Sequence, residues 1–129
     1  MFAHIELNTD DAKAAKKFYR SLFAWKLEDV ATGSGTYTMI DTGSRASGGG
    51  IQLKPMPEAA TAWMPYVEVA DVKKSLGKAK KLGARIVLAC TKLPGMGSIG
   101  VLLDPTGASL GVWQKEKAKP KKKAKRARR

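Results

Sequence analysis

Residues 4–27 read HIELNTDDAKAAKKFYRSLFAWKL, and residues 66–87 read YVEVADVKKSLGKAKKLGARIV. Each stretch predicts a strand, then a helix, then the start of another strand. In the first, Ala3, Ile5 and Leu7 alternate with His4, Glu6 and Asn8. This is the period-two pattern of a strand with one face on a core and the other toward something polar, so the odd positions are expected to be buried. Asn8 or Thr9 is placed to cap the following helix, and Asp10 and Asp11 complement the positive end of its dipole. Ala15, Phe18, Tyr19 and Leu22 then fall three to four apart as one apolar stripe. In the second stretch, Pro65, Val67 and Val69 alternate with Met64, Tyr66 and Glu68, and Asp71 is the cap candidate. Val72, Leu76 and Ala79 form the stripe, and Gly83 ends the helix.

Working outward, three short β-prone runs follow each helix: about 25–29, 36–41 and 48–54 in the first half, and 85–90, 98–103 and 109–114 in the second. Turn signals at Gly33–Gly35, Gly43–Ser44, Pro94–Gly97 and Asp104–Gly107 separate them. The chain therefore reads βαβββ twice, an α+β domain over residues 1–114 with modules at about 1–56 and 62–114. A four-stranded sheet with one helix on its back has a second face, and two such halves can set these faces around one shared cleft. Polar side chains on that face would line a cavity.

At 129 residues the chain is long enough for one core and too short for two independent ones. Its net charge of +13 is concentrated at one end, since residues 115–129 hold ten of the 24 Lys and Arg against Glu116 alone. That segment has no large apolar side chain and is expected to be a disordered basic tail. Such a tail attracts nucleic acid by charge, without base reading, and it has no aromatic residue for stacking. The lone Cys90 cannot form an intramolecular disulfide and is expected to be a small buried filler. No apolar run is long enough to span a bilayer, and MFAHIELNTDD lacks the features of a signal peptide. The expectation is a cytoplasmic protein without membrane contact.

The duplicated βαβββ order, the start HIELNTDDAKAAKKFYRSLFAWKL and the segment PGMGSIGVLLDPTGASLGVWQ at 94–114 resemble the vicinal oxygen chelate superfamily. That superfamily includes glyoxalase I, bleomycin-resistance proteins and extradiol dioxygenases, and the closing segment looks especially like small glyoxalase-related proteins. The resemblance implies two modules around a cleft and, in the metal-dependent members, four inward side chains that hold a divalent ion. On this chain those positions fall on His4, on Gln52, on Met64 (or Pro65 or Tyr66 if a gap moves), and on Gly111. One imidazole, one amide and at best a thioether or phenol, with no side chain at Gly111, are too few strong donors for a catalytic centre. The expectation is no metal and no other cofactor, and classical glyoxalase proton transfer is not expected. A site rebuilt with Glu6 or Glu68 is the alternative.

The candidate catalytic residues are His4, whose ordinary pKa suits a base or shuttle, and Glu6 on the same face. A carboxylate pair of Glu6 with Glu68 across the two halves would push one pKa upward. Gln52, Tyr66, Glu68, Met96 and Trp113 are the candidate ligand contacts, with Trp113 two residues beyond Gly111 as a stacking surface. The loop Thr91–Gly97 is a lid candidate. Trp25 and Trp63 are assigned to packing. Gly48–Gly50 precedes a strand, so the helix N-terminus of a phosphate loop is missing. Three functional readings follow. The first is a glyoxalase-related small-molecule-binding protein or metal-independent lyase or isomerase. The second is a divalent-metal lyase or dioxygenase with a rearranged site. The third is a dimeric interaction module with a nucleic-acid-binding tail. A homodimer is expected in each, because the module sheets end in exposed edges.

Overall fold

Alternating apolar positions in the first strand of each half bring the two halves together edge to edge. In the computed structural model, which describes residues 2–32, 35–43, 48–54 and 59–116, the first half comprises β1 (Phe2–Thr9), α1 (Ala12–Leu22), β2 (Lys26–Thr32), β3 (Gly35–Asp41) and β4 (Gly48–Leu53). The second comprises β5 (Ala62–Glu68), α2 (Val72–Lys81), β6 (Arg85–Leu93), β7 (Gly97–Leu103) and β8 (Ser109–Gln114). The strands form one sheet in the order β2-β3-β4-β1-β5-β8-β7-β6. β1 and β5 are antiparallel at its centre, with His4 opposite Tyr66 and Glu6 opposite Met64. Each then pairs in parallel with the last strand of its own half, β4 or β8. The expected α+β class and βαβββ repeat are both present. Residues 117–129 of the expected tail, and parts of the turns at 33–35 and 43–44, lie outside the described residues.

Each helix is set by an aspartate cap. Asp11 accepts the Ala14 N–H at 3.0 Å and Asp71 accepts the Lys74 N–H at 3.0 Å. Asp71 is the expected cap, but the first helix starts later than Asn8 or Thr9 implied. Thr9 instead extends β1, and its hydroxyl accepts the Asp11 N–H at 3.2 Å. α1 packs on β4 and β2, and α2 on β6, β7 and β8. One apolar cluster, Leu7, Ile40 and Ile51, lies under Ala12, Ala15 and Tyr19. The other joins Val72 and Leu76 to Leu102 and Val112. Asp29 ties α1 to the sheet by accepting from the buried Thr38 hydroxyl at 2.7 Å and from Lys16 at 3.2 Å. Those two donors, Thr38 first, hold its carboxyl below the usual carboxylate range.

Three expectations about burial are corrected. Ile5 is 44% exposed although it shares parity with the buried Leu7, because the helices cover the outer strands and leave the central β1–β5 seam bare at that level. Phe18 and Leu22 of the α1 stripe are 56% and 57% exposed, since of that stripe Ala15 and Tyr19 reach the cluster beneath and these two do not. Cys90 is exposed, not a core filler. It lies on the edge strand β6, where the pairing register slips between Leu88 and Thr91 and residues 89 and 90 drop out of the ladder. Among the described residues no helix is long and apolar enough to cross a membrane.

Ile51 is fully buried, so Ile51→Ala is expected to lower the free energy of unfolding by about 2–5 kcal/mol. Phe18→Ser, on the exposed side of α1, should change it by less than about 1 kcal/mol. Urea unfolding of the two variants measures the contrast.

Candidate functional site

On the sheet face opposite the helices, strand parity places His4, Glu6 and Asn8 of β1 beside Gln52 of β4 and Tyr66 of β5. The structure brings four of the expected residues, His4, Glu6, Gln52 and Tyr66, into one hydrogen-bonded array. Glu6 is at its centre and only 5% exposed. Its Oε1 accepts from the Tyr37 hydroxyl at 3.1 Å. Its Oε2 accepts from the Gln52 amide N–H at 3.0 Å and from the Tyr66 hydroxyl at 3.2 Å. The second Gln52 N–H goes to Asn8 Oδ1 at 2.9 Å. A carboxylate can only accept, which sets the amide with nitrogen toward Glu6. His4 Nε2 lies 2.7 Å from the Tyr37 oxygen. Because Tyr37 spends its one proton on Glu6, His4 donates to it from Nε2. The imidazole is held between two phenol rings, stacked on Tyr37 and edge-on to Tyr66.

Two glycines make this array possible. Tyr37 stands on β3 and must cross β4 to reach Glu6 on β1; a Cβ on Gly50 would overlap its hydroxyl. A Cβ on Gly111 would lie 2.5 Å from the Tyr66 ring. The phenol ring thus occupies the space in front of Gly111, where the resembled family carries a metal-binding glutamate.

Burial dominates the ionisation of the array. It raises the Glu6 carboxyl above its ordinary value, against the lowering effect of the bonds from Tyr37, Tyr66, Asn8 and Gln52. It lowers the His4 imidazole, favouring the neutral ring. It also raises both phenols, helped by the charge of Glu6, so Tyr37 and Tyr66 stay protonated donors.

The remaining expected contacts sit elsewhere on the same face. Glu68 is opposite Trp113 in the β5–β8 register and faces Lys115 at 3.6 Å. The carboxylate pair with Glu6 does not form, because Glu68 lies beyond Tyr66 on the far side of the seam while Glu6 is filled by phenol and amide donors. Trp113 donates its indole N–H to the Met96 carbonyl at 2.7 Å. This bond pins the segment expected to be a lid. Residues 91–97 are the tip of the β6–β7 hairpin, closed by Met96 N–H to Leu93 O at 2.9 Å, and the Met96 side chain is exposed there. Trp25 and Trp63 pack with Tyr19, as expected. Gly48–Gly50 form strand β4, not a phosphate loop. Tyr37 and Asn8 were missed. The readable signal was a tyrosine of cleft parity in the β-prone run 36–41, next to a glycine strand that leaves room for it.

The donor set does not fit the divalent ion of the resembled family. Gly111 offers no ligand, Gln52 turns nitrogen inward, and Glu6 Oε2 is already filled by two donors. Among the described residues no three His, Cys, Asp or Glu side chains are grouped to hold a metal.

Comparison with known proteins gives a family match over residues 1–112 to the Glyoxalase/Bleomycin resistance protein/Dioxygenase superfamily. "Putative glyoxylase CFP32" of Mycobacterium tuberculosis is 35% identical over 117 residues, covering 85% of this chain and 44% of that protein. "Anthracycline biosynthesis protein DnrV" of Streptomyces peucetius is 28% identical over 88% of this chain and 46% of its own length. The chain thus spans less than half the length of these relatives. The crystal structure of methylmalonyl-CoA epimerase from Mycobacterium tuberculosis superposes with a TM-score of 0.67 at 12% identity, covering 95% of this chain and 91% of that one. At that identity the likeness concerns the fold.

The opposed shifts of Glu6 and His4 give stability a pH dependence of known sign. A carboxyl raised on folding contributes stability that is complete below its ordinary value near 4.5 and is lost as pH rises through the folded value. An imidazole lowered on folding contributes stability present above 6.5 and lost as pH falls through the folded value. Glu6→Gln removes the first contribution. The wild-type melting temperature is therefore expected to decline relative to that of Glu6→Gln as pH is raised from 4.5, and parallel curves would contradict this.

Proposed function

The chain belongs to the Glyoxalase/Bleomycin resistance protein/Dioxygenase superfamily, and from that membership and the geometry of its polar array we propose that it binds a small organic molecule against Glu6. As an enzyme it would isomerise or cleave that molecule by proton transfer. The observation that supports this reading is the buried Glu6 carboxyl, held by two phenols and an amide and linked through Tyr37 to His4.

The array is suited to moving one proton. Glu6, raised by burial, is a stronger base than an exposed carboxylate. When its Oε1 takes a proton from substrate carbon, the new O–H donates to the Tyr37 oxygen. The Tyr37 oxygen goes on accepting from His4 Nε2–H, and the captured proton stays on Glu6 until it is returned to the substrate. A protonated Glu6 is also a weaker acceptor, and this happens as a carbonyl oxygen on the substrate gains negative charge. The Tyr66 hydroxyl can then turn from Glu6 to the substrate oxygen, so abstraction of the proton and stabilisation of the enolate are coupled. No divalent ion is used in this scheme, since the donors that would hold one are bonded to each other.

Hydrogen–deuterium exchange at carbons adjacent to carbonyl groups, followed by NMR over a metabolite panel, tests the proposal. Glu6→Gln is expected to lower the catalysed exchange by about a hundredfold or more, and Tyr37→Phe by about tenfold. Exchange that is untouched by Glu6→Gln, or that appears only after Ni, Zn, Mn or Fe is added, would contradict it.

A further inference from the structure

Of the 14 Lys and Arg in residues 1–114, seven fall within residues 72–92, a stretch that contains no Asp or Glu. The other positions of the domain hold seven basic residues against ten acidic ones, so the domain owes its whole positive excess to this stretch. Five of its basic residues, Lys73, Lys74, Lys78, Lys80 and Lys81, stand on α2, and all five are exposed. At 3.6 residues per turn, Lys74, Lys78 and Lys81 share the side of the helix turned away from the buried Val72 and Leu76, with Lys73 and Lys80 beside them. Among the described residues none of the five pairs with an acid. Asp71, at the start of the helix, directs its Oδ1 to the Lys74 backbone N–H as the cap.

We propose that this side of α2 docks the phosphate backbone of a nucleic-acid duplex, acting together with the basic segment that follows β8. The two are adjacent. Gln114, the last residue of β8, accepts the Val72 N–H on its Oε1 at 2.9 Å, so the chain leaves the sheet beside the first turn of α2. Residues 117–129 then add nine Lys and Arg and no acid. Lys74 and Lys81 are about 10 Å apart along the helix, a length over which each strand of a duplex presents about three phosphates. The row Lys74–Lys78–Lys81 therefore matches such a run charge for charge. A membrane surface is the poorer partner, because a helix that lies on lipid inserts its apolar face, and Val72 and Leu76 of α2 are already spent on Leu102 and Val112. Leu82, exposed just past the helix, is a single leucine. A single strand is also the poorer partner, since α2 carries no aromatic ring on which bases could stack. This surface lies on the helix side of the sheet, away from the Glu6 array, and does not depend on how that array is read.

Fluorescence anisotropy of a short labelled DNA duplex, titrated with the full chain across a salt series, tests the surface. The combined variant Lys74→Gln, Lys78→Gln, Lys81→Gln should weaken binding about tenfold or more at low salt and reduce the slope of log K against log salt by about 2 to 3. The combined variant Lys13→Gln, Lys17→Gln, Arg20→Gln removes the same charge from exposed positions of α1 and should weaken binding less than about threefold. Thermal unfolding checks both variants. If the α2 variant fails to fold, lysine acetylation of the wild type read by mass spectrometry decides: the duplex should protect Lys74, Lys78 and Lys81 and leave Lys13 and Lys17 reactive. Equal loss of binding in the two variants, or equal protection of the two helices, would reduce the effect to net charge and overturn the surface. Absence of duplex binding by the wild type would overturn it as well, as would tighter binding of the single strand or of phosphatidylserine vesicles than of the duplex.

Discussion

A carboxylate withdrawn from water must be matched by donors, and the rest of the site follows from how Glu6 is matched. Leaving a buried polar group without a partner costs about 1–3 kcal/mol, and more when it is charged. Glu6 sits near the seam of an eight-stranded sheet, where its own strand supplies only Asn8 and His4 as polar neighbours on that face. Its donors come from other strands: Tyr37 from β3, Gln52 from β4 and Tyr66 from β5. Among the described residues no buried side-chain nitrogen or oxygen is left unpaired.

This requirement accounts for residues that otherwise look unrelated. Gly50 is needed because a phenol has to pass over it, and Gly111 because a ring lies on it. Tyr37 and Tyr66 are needed as donors that stay protonated in the presence of a neighbouring carboxylate. In the resembled metal-dependent relatives, inward donors converge on an ion. In this chain they converge on one another, and positive charge is replaced by hydrogen-bond donors.

Most of the fold was legible because it depends on local periodicity. The strands at 2–9 and 62–68, the Asp71 cap and the Val72–Leu76–Ala79 stripe each reappear as expected. His4, Glu6 and Tyr66 were readable from parity, since alternate residues of a strand share a face, and Gln52 from the resemblance. What failed depended on long-range geometry. Ile5 and Phe18 have the right period but no element above them. Cys90 follows a slip in edge pairing that no local pattern announces. Tyr37 acts two strands away from its own, and its importance appears only once β4 is known to lie between β3 and β1. The Glu6–Glu68 pair was plausible by symmetry, yet a phenol had already taken the place a second carboxylate would need.

The most direct test is a carbon-13 NMR titration of the Glu6 side-chain carboxyl in the wild type and in Tyr37→Phe. The account requires a midpoint above that of an ordinary glutamate, and a further rise in the variant, because burial persists while a donor that favours the carboxylate is gone. A midpoint at the ordinary value, unmoved by loss of the Tyr37 hydroxyl, would show that Glu6 is solvated and that the array does not exist in solution.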